Sequence, residues 1–129
     1  MQYGFLKTAV CTPDIRVADC LFNAAQISQL MNEQAAAGVK VLVFPELSLT
    51  GYTCGDLFLQ DVLLKSAETA LIAIREESGN YTMLTIVGLP LIYGGKLYNC
   101  AAVCYQGKIL GIVPKNEVPN YAEFYELRH

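Results

Sequence analysis

Residues 39–47 read VKVLVFPEL. The run VKVLVF at 39–44 is dominated by apolar, β-branched side chains, so it predicts a strand buried on both faces of a sheet. Pro45 then ends the run and places Glu46 at its tip. A second run, GKILGIV at 107–113, leads to Pro114 and Lys115 in the same manner. The chain thus carries one carboxylate and one ammonium just past the ends of two core strands, which suits a general base beside an electrostatic stabiliser. If so, their charged ends should lie within about 4 Å of each other, at ion-pair reach. Taken singly, a Pro-Glu at a strand end is most often a solvated turn, and a lone lysine is blander still. The flanking residues decide between the readings.

Upstream of this strand, YGFLKTAV at 3–10 predicts a first strand, and Thr12, Pro13 and Asp14 supply a turn. A helix is expected over 15–37, with Val17, Leu21, Ala24, Ile27, Leu30 and Met31 forming a buried stripe and Arg16, Asn23, Gln26 and Glu33 facing outward. Gly38 serves as its C-terminal cap. Downstream, the loop PELSLTGYTCGD leads to a second amphipathic helix over 57–77, with Asp56 as N-cap. A turn at Ser78-Gly79-Asn80 precedes the strand MLTIVGLPLI, and Gly94-Gly95 makes the next turn. LYNCAAVCY and KILGIV then form a hairpin about Gln106-Gly107, where glycine supplies positive φ. The order β-α-β-α-β-β-β predicts an α/β protein, one sheet with two helices on one face.

A chain of 129 residues, 53% apolar and 16% charged, is long enough to bury about two-thirds of its unfolded surface, and disorder is not expected. The net charge of −3 comes without a basic stripe, and there is no Trp, so neither phosphate neutralisation nor base stacking is indicated and nucleic acid is not an expected partner. Cys11, Cys20, Cys54, Cys100 and Cys104 lack the paired spacing of a zinc site, so no metal is expected. Most lie in apolar stretches, which favours a reducing, cytoplasmic setting. Cys100 and Cys104, four apart on one strand, should face the same side as core packing. No apolar run reaches the roughly 20 residues that span a bilayer, and the N-terminus is too short in apolar residues for a signal peptide, so no membrane association is expected.

The last stretch, PKNEVPNYAEFYELRH, abandons strand periodicity and reads as a loop leading into a short helix, with Pro119 as a breaker. It stops at His129 as though cut inside an element.

PEL with Glu46 and VPK with Lys115 resemble the nitrilase, or carbon–nitrogen hydrolase, superfamily. The longer strings PELSLTGYTCGDLF and PKNEVPNYAEFYELRH narrow the resemblance to the N-terminal glutaminase domains of bacterial glutamine-dependent NAD synthetases, and it spans essentially the whole chain. A lone PE or PK is weak; both in order, with GY and DLF after the first and YxEFYExR after the second, are specific. The resemblance implies part of a nitrilase-type α-β-β-α sandwich, with residues 1–129 forming the N-terminal portion of the glutaminase domain. It places the nucleophilic cysteine beyond Lys115, where this chain has none, and no SGGxDS-type ATP motif occurs. The resemblance therefore implies that the 129 residues alone are inactive, and that ATP and magnesium belong to a synthetase domain outside them.

In the complete enzyme the implied reaction is hydrolysis of the glutamine side-chain amide, the ammonia then serving ATP-dependent amidation of nicotinic acid adenine dinucleotide. Carried over by motif position, Glu46 and Lys115 would be catalytic, while Tyr52, Tyr121 and Glu126 would line the glutamine pocket. Loop tyrosines also pack commonly on a core with the hydroxyl in water, and Glu126 could instead pair with Arg128. Cys54 is read as a small loop side chain and not as the nucleophile. The alternatives are a stand-alone nitrilase-type amidase and a non-catalytic α/β interaction module. Because a nitrilase-type sandwich packs two sheets face to face, the apolar face left uncovered in this chain should join either the rest of the parent enzyme or a second copy, giving a homo-oligomer.

Overall fold

The computed structural model describes residues 4–51 and 61–117. In chain order its elements are β1 (Thr8–Val10), α1 (Cys20–Ala36), β2 (Val41–Val43), α2 (Asp61–Ser78), β3 (Leu84–Tyr93), β4 (Lys96–Tyr105) and β5 (Lys108–Glu117). The five strands form one sheet in the order β1-β2-β3-β4-β5, parallel through β3 and antiparallel from β3 to β5. This is the expected order of elements. Both helices contribute to a single core against one side of the sheet, where Ile27 and Met31 of α1 and Ala67 and Ile74 of α2 join Leu42, Val87 and Ala102.

Helix α1 starts five residues later than periodicity predicts. Ala18 takes a left-handed backbone, φ 62°, and no helix can run through such a residue. Asp19 then caps the helix by accepting from the Phe22 amide at 3.1 Å. The buried stripe is correspondingly Cys20, Asn23, Ala24, Ile27 and Met31. Val17 and Leu21, expected inside, are 51% and 68% exposed. Asn23, expected outside, is fully buried. Its side-chain oxygen accepts from the Arg16 amide, and its nitrogen donates to the Arg16 and Leu49 carbonyls, all within 3.0 Å. The helix ends as read, with Gly38 at φ 85°.

Strand β2 is shorter than expected, and only Leu42 of its three residues is fully buried. Val41 and Val43 are half-buried because both helices lie on one face. Both hairpin turns are two-residue loops with positive φ at each central residue, 60° and 77° at Gly94-Gly95 and 48° and 83° at Gln106-Gly107, the geometry whose twist matches paired strands. The first strand begins at Thr8 and not near residue 3. Strand β5, expected to stop at Val113, continues through Pro114 and Lys115 to Glu117. Proline is tolerated there because β5 is an edge strand and its ladder is already broken at that point. The proposed cap Asp56 and the start of the second predicted helix at 57–60 lie outside the described residues.

Gly88 fixes the relation between β3 and the loop after β2. A Cβ at this position would stand 2.4 Å from the Leu47 nitrogen and 3.0 Å from the Pro45 oxygen. Changing Gly88→Ala should therefore destabilise the fold by about 1–3 kcal/mol in urea unfolding, as overpacking against backbone does. Gly111→Ala on β5, where nothing lies within 4 Å, should leave stability within about 0.5 kcal/mol. Equal effects at the two positions would show that the close approach at Gly88 is not what constrains the loop.

Candidate active site

The loop after β2 is built to hold one carboxylate still. Phe44 still bonds to β3, its amide donating to the Ile86 carbonyl at 2.9 Å, and the Leu49 amide returns to the Gly88 carbonyl at 3.0 Å. Between these anchors the chain turns tightly: the Ser48 amide donates to the Pro45 carbonyl, and the Gly51 amide to the Leu47 carbonyl. The buried Ser48 hydroxyl accepts from the Gly88 amide at 3.1 Å. Leu47 adopts a left-handed backbone, φ 54°, a conformation that strains a branched residue and tends to mark functional sites. Glu46 stands immediately before it.

Lys115 reaches the site by a different device. Across the β4·β5 ladder, Asn99 pairs with Asn116 and Cys100 with Pro114. Lys115 is thus the extra residue of a β-bulge, and bulges of this kind bend a strand and re-aim the side chain they leave unpaired. Strands β2 and β5 are three ladder steps apart, about 14 Å at the usual spacing. The gap closes because the loop over Gly88 carries Glu46 toward the middle of the sheet while the bulge carries Lys115 to meet it. The Lys115 Nζ donates to Glu46 Oε1 at 2.8 Å. The two residues share a cleft of about 350 Å³ with Val43, Ile86, Asn99 and Val113, among others.

The pair remains accessible: the side chains of Lys115 and Glu46 are 45% and 28% exposed. Ion pairs this open contribute about 0–1 kcal/mol, too little to account for the strained loop and the bulge that produce the pair. A carboxylate and an ammonium in contact, reachable from solvent and seated on an otherwise apolar floor, can take up a proton at one atom and stabilise negative charge at the other.

Of the residues singled out in the sequence, Glu46 and Lys115 are brought together, whereas Tyr52, Tyr121, Glu126 and Cys54 lie outside the described residues. Cys100 is buried and borders the same cleft, and Cys104 belongs to the helix-side core. Burial pushes each thiol up to about 11, so both stay protonated near neutral pH and are poor nucleophiles. Gly88 and Asn99 were not singled out. The signals were there: an isolated glycine inside a strand pattern marks a close backbone approach, and a lone Asn in the apolar strand LYNCAAVCY marks a buried polar group. Among the described residues no group of His, Cys, Asp and Glu could hold a metal ion, and no helix is long and apolar enough to cross a membrane.

Residues 7–126 match the carbon-nitrogen hydrolase family. The chain is 40% identical over 127 residues to a glutamine-dependent NAD(+) synthetase of Mycobacterium tuberculosis, covering 98% of this chain and 19% of the relative. Its fold superposes on the crystal structure of a glutamine-dependent NAD(+) synthetase from Cytophaga hutchinsonii with a TM-score of 0.82 and 28% identity, over 95% of this chain and 21% of that one. A nitrilase-superfamily amidase of Nesterenkonia shares the fold at a TM-score of 0.78 and 19% identity, over 92% of this chain and 45% of that one. The chain spans about a fifth of the length of the curated synthetases it matches first.

With the thiols of Cys100 and Cys104 held at about 11, alkylation by iodoacetamide, which needs the thiolate, should leave both unmodified in the folded chain at pH 7. Labelling should grow as pH rises toward 11 and should be complete in urea at pH 9. Rapid native labelling of either at pH 7, read by peptide mass spectrometry, would contradict their burial.

Proposed function

Because the chain belongs to the carbon-nitrogen hydrolase family, we propose that Glu46 and Lys115 are the base and the cationic stabiliser of a glutamine-hydrolysing site. The ammonia it releases would serve ATP-dependent amidation of nicotinic acid adenine dinucleotide to NAD. The observation that carries this reading is the 2.8 Å contact between Lys115 Nζ and Glu46 Oε1 in an open cleft, joined to 40% identity with glutamine-dependent NAD(+) synthetases. That likeness favours the synthetase over the stand-alone amidase, with which only the fold is shared.

In this reading the nucleophile is a cysteine thiol that the family pattern places beyond Lys115. Glu46 takes its proton, and the thiolate sulfur bonds to the glutamine side-chain carbon. The oxygen of the tetrahedral species carries the negative charge, and the Lys115 ammonium stabilises it. Glu46 then returns the proton to the departing nitrogen, ammonia leaves as the C–N bond breaks, and a thioester remains. Water, losing a proton to Glu46, cleaves the thioester to glutamate and regenerates the thiol. Tyr52, Tyr121 and Glu126 are proposed to line the glutamine pocket. ATP and magnesium would act at a synthetase site elsewhere in the full-length protein.

In the full-length protein, Glu46→Gln should abolish NAD synthesis driven by glutamine and leave synthesis from added ammonium nearly intact. Lys115→Met should lower the glutamine-driven rate by about 100- to 1,000-fold, the usual effect of removing one oxyanion donor. Equal loss with both nitrogen sources would mean that the pair supports folding and not amide hydrolysis.

Residues 1–129 expressed alone should release no ammonia from glutamine, since the thiols of Cys100 and Cys104 are held protonated and Cys20 is buried at the start of α1. Turnover above blank that disappears in Cys54→Ala would assign the nucleophile to Cys54 and overturn this assignment of roles.

A further inference from the structure

Asn99, at the middle of the β3-β4-β5 ladders, borders the cleft that holds Glu46 and Lys115. It is 3% exposed, and its side-chain nitrogen has no hydrogen-bond partner. Buried amide donors are almost always paired, because leaving one unpaired forfeits its hydration without return. The other buried asparagine among the described residues, Asn23, makes three hydrogen bonds. The other buried side-chain atom without a partner, Thr85 Oγ1, sits on a rung with Leu42 and Cys104 of the helix-side core and away from the cleft. Asn99 is therefore the one unpaired buried polar side chain, among the described residues, that borders the candidate site.

Its place in the register is equally specific. Asn99 lies opposite Pro90 on β3 and Asn116 on β5, next to the bulged Lys115. The cleft is accordingly bordered by an ammonium and a buried, unpaired amide N–H on the side of β4 and β5, and by a carboxylate on the side of β2. A primary carboxamide has the complementary pattern: an oxygen that accepts two hydrogen bonds and an NH2 that donates.

We propose that Asn99 is a substrate-binding residue of this site, its side-chain nitrogen donating to the carbonyl oxygen of the scissile amide alongside the Lys115 ammonium. This deepens the amide-hydrolysis reading above and rests on it. The hydrogen bond strengthens as that oxygen becomes an oxyanion, so its effect falls on the transition state more than on ground-state binding. The unpaired donor of the free protein is then a partner held ready for substrate.

The test uses the full-length protein and ammonia release from glutamine, with thermal midpoint as the second readout. Asn99→Leu keeps the number and branching of the side-chain heavy atoms but removes the donor. It should lower kcat/KM about 100-fold, mainly through kcat, while the thermal midpoint holds or rises, because an apolar group replaces an unpaired buried amide. Asn99→Asp, of the same size and shape, replaces the donor by an acceptor and should show a loss of the same order; it decides the matter if the leucine variant does not fold. Activity within about threefold of wild type in either folded variant, or a lowered midpoint that accounts for the lost activity, would overturn the proposal. Glu46→Gln separates the two levels. A wild type that releases no ammonia, or a fully active Glu46→Gln, sinks the amide-hydrolysis reading itself, whereas an inert Glu46→Gln beside a fully active Asn99→Leu sinks only the role of Asn99.

Discussion

The contact on which the rest of the site depends is a backbone one: the nitrogen of Leu47 lies 2.4 Å from where a Cβ on residue 88 would stand. Only glycine allows that approach. It lets the chain leaving β2 turn across β3, and from there the Ser48 hydroxyl and the Leu49 amide fasten the loop to both backbone groups of Gly88. The loop is thereby pinned to the central strand of the sheet, its most constrained part. That anchoring is strong enough to hold Leu47 in a left-handed backbone, a conformation a leucine does not keep without support. Glu46 inherits its position from these backbone constraints.

Lys115 is positioned from the other end of the sheet by a comparable local departure from regularity. A regular β5 would leave it three strands from Glu46. The bulge opposite Asn99 and Cys100 changes the direction of one side chain without ending the strand, and Pro114 beside it removes a ladder donor where the ladder is already interrupted. Two irregularities, one in a loop and one in an edge strand, thus meet in a single ion pair whose stability value is small at this exposure. Structure that departs from regularity without a stabilising return is expected where chemistry is the reason for it.

Much of this was legible in the sequence. The order of strands and helices, the glycine after α1 and the two-residue turns follow from periodicity and turn chemistry, and the pairing of Glu46 with Lys115 follows from the family resemblance that the proline-flanked charges and their flanking strings carry. What was not legible depends on partners distant in sequence. Periodicity overextends helix α1 because nothing local shows that Asn23 bonds to the carbonyl of Leu49, 26 residues away, and that the Asp19 amide turns back to the Arg16 carbonyl past the left-handed Ala18. Periodicity stops strand β5 short because Pro114 is a strand breaker in the interior but not on an edge. The two-sided burial predicted for β2 failed for a related reason: an apolar run does not say how many of its faces its own helices cover.

Asn23 and Asn99 show how far burial alone can be read. Both are asparagines with almost no exposed surface, and hydropathy treats them alike. Asn23 spends its whole side chain on backbone groups, joining the start of α1 to the loop that carries Glu46, and its role is complete within the fold. Asn99 has the same chemistry and a similar enclosure, yet its donor is left over on the border of a cleft that already holds a cation and a carboxylate. A fold selected for stability alone would favour an apolar residue there, since the strand around it is apolar and an unpaired amide weakens it. The difference between the two lies in where their hydrogen bonds go, and for Asn99 the chemistry of the cleft directs that bond to an amide oxygen.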